Sequence, residues 1–351
     1  MSHILVQDAV LRDFVFQIAR AGGIGEAAAS LLADSLVAAN LRGVDSHGVQ
    51  LLPFYMDQVD GGRVDPAAVG RVISESGTVM LYDGMNGLGQ VIAETCCSHA
   101  VRLAREHGTG FVVARESNHF GAAAWWGRRI ASEGCLAMIF CNASPSVAPW
   151  QGREPRWGTN PICVSLPGPD GGSWLLDMAT TTVAMGKIYK ANILGEPEIP
   201  QGWAMDSDGR PTTSTQAALS GALMPLGGYK GSGLAMMVEI LSAVLSGGAM
   251  STEMGGLRIR TRPFRVNQTF LAVDISRLLP LEEFTARVRK LVTMVKSSQP
   301  APGYDEVLVA GEPEWRTEDD RRRGGIPLER GHWDGLLKLA VRYRVQVPPV
   351  G

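Results

Sequence analysis

The sequence predicts a mixed α/β (α+β) fold with a mixed or largely antiparallel sheet. Helical patterns open the chain at Asp8–Ala21, Glu26–Leu41 and about Gly48–Val59. Beyond Pro66, short apolar runs bounded by Gly, Pro, Asn or Asp replace them, a pattern typical of strands. Helices and strands then alternate loosely, without the strict βαβ order that would indicate a parallel sheet.

The expected elements of this second region follow from the period of its apolar residues. Strands are expected at Val79–Tyr82, Gly110–Ala114, Leu136–Cys141, Pro161–Leu166, Ser173–Met178, Thr269–Ile275 and Val307–Val309. Helices are expected at Gln90–His107, Gly231–Ser246 and Leu281–Lys296. The charged stretch Glu312–Arg330 contains Arg321-Arg322-Arg323, which is interpreted as a solvated face.

Composition excludes several classes of protein. The chain has 351 residues, enough for two domains, and a net charge of -2, which gives no reason to expect nucleic acid or an anionic membrane as a partner. Its five cysteines are odd in number and form no Cys-x-x-Cys pair, so reduced thiols in a cytoplasmic protein are expected. Neither a signal peptide nor a stretch long enough to span a membrane is recognisable.

The junction between the second and third helical patterns carries candidate chemistry. Asp45, Ser46 and His47 lie just after Gly43, which suits the end of a helix. Asp45 or Ser46 could cap the following helix, whose positive end would disfavour a charged His47, whereas the Asp45 carboxylate would favour it. The direction of the pKa shift therefore stays open. Capping alone would explain the motif, and a histidine near neutrality also suits proton transfer at a carbonyl.

The glycine pattern does not indicate a Rossmann nucleotide site. That site requires Gly-x-Gly-x-x-Gly after an early strand, with an acidic residue about 20 positions later. The nearest clusters, Gly84–Gly89 and Gly227–Gly233, have the wrong spacing. Any dinucleotide must therefore be bound by another fold.

Six short blocks in a fixed order carry a family resemblance. They are Asp45-Ser46-His47-Gly48-Val49, Ser117-Asn118-His119-Phe120-Gly121, Gly158-Thr159-Asn160-Pro161, Asp177-Met178-Ala179-Thr180, Gly186-Lys187 and Gly228-Tyr229-Lys230-Gly231. Together they resemble the type 2 malate/L-lactate dehydrogenase family. This family includes sulfolactate and ureidoglycolate dehydrogenases, diketogulonate reductase and piperideine-2-carboxylate reductases. The resemblance covers about Val6–Pro327.

The resemblance implies a sulfolactate dehydrogenase-like fold with a non-Rossmann domain that binds NAD or NADP. Residues 73–299 would form this cofactor domain. Residues 1–72 and 300–351 would together form a discontinuous helical and substrate domain. A homodimer is also implied, with active sites near the subunit interface.

The family's acid/base pair corresponds to Ser46 and His47. His47 would protonate the substrate oxygen or nitrogen during reduction, with Ser46 and Asp45 as local partners. His119 matches a second family histidine, which has the acid/base role in some members and otherwise lies along the cofactor. We favour His47, because the segment around His119 supplies no comparable partners.

Cofactor contacts are implied at four places in the chain. The residues are His119, Phe120, Gly121, Ala122 and Ala123, then Asp177, Met178 and Ala179, then Lys230, and finally Gly311 and Glu312 within Ala310–Glu314. Gly121 would permit close approach of the ligand, and Phe120 would offer a face to a ring. Lys230 could pair with a diphosphate beside the start of a helix, or could be an ordinary surface lysine.

The resemblance places Thr159, Gly186 and Lys187 beside the substrate. Many relatives also carry an arginine at the positions of Leu51 and Met185, where it would bind a substrate carboxylate. If both positions face the substrate, the pocket is more apolar than in malate-type relatives. A monocarboxylate is then favoured over a dicarboxylate such as oxaloacetate. Arg42, Arg156 or Lys187 would have to replace the missing cations.

The predicted function is NAD(P)-dependent interconversion of a 2-oxo acid and a 2-hydroxy acid. Reduction of a cyclic imine carboxylate is the first alternative, and a nucleotide-binding protein without turnover is the second. Intact Ser46, His47, Thr159 and Lys187 argue against loss of catalysis. A hydrolytic metal site built from His47, His119, Asp45 and Asp177 is remote, because no spaced metal motif supports it, and no metal is expected.

Overall fold

Helices and strands alternate along residues 3–168, 174–256 and 261–349, which the computed structural model describes. The helices are α1 (Asp8–Ala21), α2 (Glu26–Leu41), α3 (Leu52–Asp60), α4 (Gly89–His107), α5 (Ala123–Ser132), α6 (Met185–Ile193), α7 (Thr215–Ser220), α8 (Tyr229–Glu239), α9 (Leu281–Lys296), α10 (Glu312–Gly324) and α11 (Arg330–Tyr343). The strands are β1 (His3–Val6), β2 (Arg71–Ser76), β3 (Val79–Asp83), β4 (Thr109–Ser117), β5 (Cys135–Cys141), β6 (Ile162–Leu166), β7 (Trp174–Met178), β8 (Ala204–Met205), β9 (Pro211–Thr212), β10 (Ala222–Leu223), β11 (Val266–Asp274) and β12 (Ile326–Glu329).

The central sheet confirms the predicted fold class. Its order is β2-β3-β4-β11-β5-β6-β7. Strands β3 and β4 are parallel and are joined by α4, whereas the other neighbouring strands of this sheet are antiparallel. Two smaller antiparallel sheets, β1-β12 and β10-β8-β9, complete the described strands.

Three of the predicted elements differ from the structure. The helix expected at Gly48–Val59 is replaced by two 3₁₀ turns, Asp45–His47 and Val49–Leu51, followed by α3. Pro53 explains this, since it lacks the N–H that a helix interior requires but fits the first turn of α3.

The helix expected at Gly231–Ser246 begins earlier, at Tyr229, and continues beyond Glu239 as a π-helical turn, Ile240–Val244. The strand expected at Val307–Val309 is irregular chain, because this short apolar run pairs with no neighbouring strand. Ser173, expected to start a strand, lies outside the described residues.

Separate hydrophobic clusters hold the fold together. One joins the N-terminal helices to the C-terminal end and includes Leu11, Leu36 and Leu336. A second lies on the central sheet, where Trp126 and Phe270 are fully buried. The two ends of the chain therefore share a core, and the pairing of β1 with β12 closes it. Among the described helices, none is both long and apolar enough to cross a membrane.

Candidate active site

The Asp45–His47 turn is held from the preceding helix and from the far end of the chain. Asn40, near the end of α2, accepts the Val49 N–H through Oδ1 over 2.8 Å. Its Nδ2 donates to Oδ1 of Asp45 over 2.6 Å. Neither Asp45 nor Ser46 caps a helix with its side chain, so the predicted capping role is wrong.

Asp45 is bound by an arginine from α10. Nη1 and Nη2 of Arg321 donate to Oδ1 and Oδ2 of Asp45 over 2.7 and 3.0 Å, and Arg321 also donates to the backbone carbonyl of Asn40. Two predictions are corrected by this geometry. Asp45 forms no hydrogen bond with His47 in the described part of the chain, and Arg321 is not a solvated side chain. Asp45 therefore anchors the turn rather than pairing with the histidine.

Ser46 is the direct partner of His47. Its Oγ lies within hydrogen-bond distance of Nδ1 of His47, at 2.9 Å. Burial lowers the pKa of His47, which settles the direction that the sequence left open. A lowered pKa favours the neutral imidazole and makes the protonated ring a stronger acid.

His119 lies beside His47, and it has partners of its own. Tyr55 from α3 places its hydroxyl 2.6 Å from Nδ1 of His119, and the Gly121 N–H donates to the same nitrogen over 3.3 Å. The expectation that His119 lacks partners is therefore wrong. Burial, followed by the neighbouring His47, lowers the pKa of His119 to about 3.

Three rings line this part of the site. The ring centroids of His47 and His119 are 5.7 Å apart with an interplanar angle of 21°, and Phe264 stacks on His119 at 6.3 Å and 24°. Phe120 does not contribute a face as predicted. Its side chain is 2% exposed and packs 6.3 Å from Trp126 in the core of the sheet.

The loop that contains His119 leads into the start of α5, where the Asp177 carboxylate accepts a hydrogen bond from the first turn of the helix. The Ala124 N–H donates to Oδ2 of Asp177 over 2.8 Å. Asp177 is exposed to solvent, yet partial desolvation by the protein packed around it raises its pKa to about 6, against the opposing effects of the Ala124 N–H and Arg42. This carboxylate already occupies the anion-binding end of α5. Ala122 and Ala123 are buried there.

Lys230 lies in the first turn of α8, because that helix starts two residues earlier than predicted. Gly227 and Gly228 have φ of 58° and 67°, a left-handed backbone that favours glycine, and they turn the chain into the helix. Lys230 is exposed and forms no ion pair within the described residues. Its unpaired ammonium beside a helix N-terminus suits a phosphate.

Backbone contacts connect this turn to the rest of the site. The Leu226 N–H donates to the carbonyl of Thr180 over 3.0 Å, and the Thr180 N–H donates to the carbonyl of Thr159 over 2.9 Å. A Cβ added at Gly186 would lie 3.6 Å from Cβ of Ser46, so the start of α6 adjoins the Asp45–His47 turn. The blocks that are dispersed in the sequence are thus contiguous in the fold.

Comparisons with known proteins extend over nearly the whole chain. The model of the malate/L-lactate dehydrogenase family matches residues 6–337. Malate dehydrogenase from Pyrococcus horikoshii is 37% identical over 353 residues, covering 98% of this chain and 97% of that protein. The chain belongs to the malate/L-lactate dehydrogenase family. It is therefore an oxidoreductase that acts on CH–OH groups.

Solved structures of family members show the same fold. Sulfolactate dehydrogenase from Methanocaldococcus jannaschii has a TM-score of 0.91 and 31% identity, covering 98% of each chain. Δ1-Piperideine-2-carboxylate reductase from Pseudomonas syringae has a TM-score of 0.84 and 29% identity, covering 96% of this chain and 99% of that one. The fold is thus the non-Rossmann fold of this dehydrogenase family.

Within this dehydrogenase fold, Gly311 lies against β7. The Leu175 N–H donates to the carbonyl of Ala310 over 3.4 Å, two residues before Asp177. Glu312 follows Gly311 but is already bound, since Nζ of Lys296 lies 2.6 Å from its Oε2 and Arg316 also donates to its carboxylate. Glu312 therefore fixes the start of α10, and Gly311 is the residue of the pair that lies beside β7, close to Asp177.

Leu51 and Met185, the two positions at which the resemblance implied arginine in many relatives, both pack against hydrophobic clusters. Leu51 is 9% exposed and packs in the core of the helical region, and half-buried Met185 packs against the cluster that contains Ile188. The packing of Leu51 in this core does not support its predicted orientation toward the substrate. The preference for a monocarboxylate accordingly loses the observation on which it rested.

Of the three cations predicted to replace the missing arginines, Lys187 adjoins the Asp45–His47 turn. Arg42 is 5% exposed and donates to Glu318 over 3.2 Å, and Arg156 is exposed and paired with Glu154. Lys187 has no carboxylate partner in the described part of the chain, and its Nζ lies 6.0 Å from the centroid of the Trp203 ring. Lys187 directly follows Gly186, the residue that contacts Ser46, and so lies next to that contact in the sequence.

A buried polar network supports Thr159. Nδ2 of Asn160 donates to Oε2 of Glu239 over 2.9 Å, while Oδ1 of Asn160 accepts the Ala143 N–H over 3.1 Å. The N–H and hydroxyl of Ser251 donate to the same carboxylate over 2.6 and 2.8 Å. Asn160 has a φ of 35°, so this network holds a strained residue next to Thr159.

Four residues that shape this site were not predicted from the sequence to do so. They are Tyr55, Phe264, Arg321 and Glu239. Tyr55 offered a weak signal, because a buried tyrosine normally needs a hydrogen-bond partner, but nothing local pointed to His119. Glu239 gave a clearer signal, because it is a lone carboxylate in an otherwise apolar helical pattern. No His, Cys, Asp or Glu cluster able to hold a metal occurs among the described residues.

Proposed function

We propose that the protein interconverts a 2-oxo acid and a 2-hydroxy acid with NAD or NADP, using His47 as acid and base. The observation that carries the proposal is the pair of adjacent histidines with different hydrogen-bond partners. Among the described residues, His47 is hydrogen-bonded through Nδ1 to a serine hydroxyl, which can donate or accept and so suits both protonation states, whereas Nδ1 of His119 is bonded to Tyr55 and to the Gly121 N–H, which can only donate. His47 is thus the histidine of the pair that can exchange a proton.

In the Asp45–His47 turn, which we call the catalytic turn, Ser46 and His47 each have a defined task in reduction. Ser46 orients the ring of His47 through Nδ1, and protonated His47 delivers a proton to the substrate oxygen. In the reverse direction, neutral His47 accepts the proton from the hydroxyl group. The lowered pKa of His47 favours the neutral ring, which can accept the hydroxyl proton, and makes the protonated ring a stronger acid toward the substrate oxygen.

The described residues fit a dinucleotide. Exposed Lys230 at the start of α8 would bind the diphosphate, and the backbone around Gly121, Asp177 and Gly311 would form the adjoining walls. The Gly121 position is open, with no atom within 4 Å of an added Cβ. When bound, the nicotinamide cofactor supplies or accepts the hydride.

Lys187 would bind the substrate carboxylate, because it adjoins the Ser46 turn and lacks an acidic partner among the described residues. Thr159 would complete this wall of the site. Met178 ends β7 and Ala179 follows it; both are half-buried and would lie on the cofactor side.

An absorbance assay at the nicotinamide band tests the proposal. Pyruvate, a longer 2-oxo acid, oxaloacetate and a cyclic imine carboxylate should be offered with NADH and with NADPH. Turnover of a 2-oxo acid supports the proposal, and turnover of the imine alone would replace it with the reductase activity named for the Pseudomonas syringae neighbour. Tight dinucleotide binding with no turnover across the panel would favour a binding protein.

The assembly, domain division and location are parts of the same proposal. Met236, Ile240 and Val244 recur every four residues and are 53%, 42% and 55% exposed, which supports a homodimer interface on this face. The N- and C-terminal segments share one hydrophobic cluster that is separate from the cluster on the central sheet, which supports a discontinuous helical domain. Five free buried cysteines support a reducing, cytoplasmic environment. Light scattering should give a dimer mass, and Ile240→Glu should convert it to a monomer.

A further inference from the structure

Tyr55 connects helix α3, which follows the Asp45–His47 turn, to His119. It lies on α3, its side chain is 5% exposed, and its hydroxyl is 2.6 Å from Nδ1 of His119. The two rings are 5.9 Å apart and tilted by 39°, so the contact is made by the hydroxyl rather than by stacking.

A second bond at the same nitrogen fixes the position of the proton. The Gly121 N–H donates to Nδ1 of His119 over 3.3 Å. A backbone N–H can only donate, so Nδ1 must be an acceptor without a proton. Neutral imidazole then carries its proton on Nε2, and the Tyr55 hydroxyl donates to Nδ1 as well.

The protonated nitrogen is free to bind a ligand. Nε2 of His119 has no hydrogen-bond partner within the described residues, and the side chain is only half-buried between the rings of His47 and Phe264. A polar N–H that is accessible in this way can donate to an acceptor oxygen of a ligand.

We propose that Tyr55 is a positioning residue that fixes His119 as a neutral Nε2–H donor to a carbonyl oxygen of the bound ligand. His119 keeps its proton throughout, and His47 alone exchanges one with the substrate. The acceptor is either the carboxamide of the nicotinamide cofactor or an oxygen of the 2-oxo acid. The choice of ligand rests on the proposed function, whereas the tautomer does not.

The electrostatic surroundings agree with a neutral ring. The titratable groups that face His119 from the described elements are His47 in the 3₁₀ turn and Tyr55 on α3, and neither supplies a negative charge at neutral pH. Protonation of Nδ1 would break the bond from the Gly121 N–H and would reverse the direction of the bond with the Tyr55 hydroxyl. Burial acts in the same direction by lowering the pKa of His119.

The experiment is ¹⁵N NMR of histidine-labelled protein, with His119 assigned from His119→Gln. We expect a single Nε2–H tautomer that does not titrate between about pH 5 and 8. Tyr55→Phe should mix the tautomers and move the His119 pKa toward its usual value, since a bond to the neutral form is lost. Tyr82→Phe is the matched control, because Tyr82 is 3% exposed and its hydroxyl donates to Val69 over 2.6 Å.

Binding measurements identify the acceptor. Tyr55→Phe should weaken one ligand by about 3- to 10-fold, the effect of losing support for one hydrogen bond. A raised Kd for the dinucleotide assigns the acceptor to the cofactor, and a raised KM for the 2-oxo acid at unchanged Kd assigns it to the substrate. Tyr82→Phe should alter neither.

A wild-type His119 that carries its proton on Nδ1, or that titrates near pH 6 to 7, would overturn the inference without any variant. A folded Tyr55→Phe protein that keeps the wild-type tautomer of His119 and the wild-type ligand affinities would also overturn the inference. These spectra require no turnover, so a silent activity assay with an intact Nε2–H tautomer would reject the proposed function alone.

Discussion

Replacing Arg321 tests whether the C-terminal helix positions the catalytic turn. Arg321 makes two hydrogen bonds to the Asp45 carboxylate and one to the carbonyl of Asn40. Buried bonds to charged groups contribute roughly 1.5–3 kcal/mol each. The two side chains are 16% and 37% exposed, so solvent screening reduces their contribution. We expect Arg321→Ala to lower the free energy of unfolding by about 1–2 kcal/mol.

The effect on turnover should be larger than the effect on stability. Without Arg321 the 3₁₀ turn can move, and misplacement of the His47 ring should reduce kcat by about 10- to 100-fold. Dinucleotide affinity should change little, because Lys230 lies on a different element. Steady-state kinetics and fluorescence titration measure the two quantities separately.

Arg323→Ala is the matched control, because Arg323 and its partner Asp320 are 76% and 75% exposed. It should leave kcat unchanged and alter the free energy of unfolding by less than about 0.5 kcal/mol. A double-mutant cycle between Arg321 and Asp45 should give a coupling energy of about 1 kcal/mol. Wild-type kcat in Arg321→Ala, or no coupling in the cycle, would refute the positioning argument.

The remaining predictions concern the site and its corrected positions. His47→Ala should reduce kcat by about 100-fold or more at nearly constant dinucleotide Kd; the same result from His119→Ala, with a mild His47→Ala, would exchange their roles. Lys230→Ala should weaken dinucleotide binding by roughly 1–3 kcal/mol, less at high salt, and equal Kd values at low salt would make Lys230 a surface residue. Leu51→Arg should lower the free energy of unfolding by about 3–5 kcal/mol in urea titrations, because it buries an unpaired charge; a stable variant that gains activity on oxaloacetate would return Leu51 to the pocket. The pKa of His119 is lowered from 6.5 to about 3, so between these pH values the unfolded chain binds a proton at His119 that the folded protein does not. The free energy of unfolding is therefore highest above pH 6.5 and decreases as the pH falls from 6.5 toward 3. His119→Gln should flatten the pH dependence of unfolding between about pH 6.5 and 5, and an unaltered profile would contradict this linkage.

The sequence by itself determined the fold class and the boundaries of its most regular elements. Helix α9 has the predicted bounds, and strand β5 begins one residue before its predicted start. These elements carry a clear apolar period that depends only on residues a few positions apart. The same local information separated the chain from Rossmann proteins, because glycine spacing is a property of one turn. It also placed Ser46 and His47 in a junction between helices.

Only the tertiary structure decided which partners the site residues have. Asp45 is bound by an arginine 276 residues away, and His119 by a tyrosine 64 residues away. Leu51 and Phe120 are core residues, although their motifs suggested contact with ligands. The physical reason is that a turn or strand end fixes the backbone locally, while the direction and protonation of its side chains depend on what packs against them. That packing brings together residues whose separation in sequence carries no periodic signal.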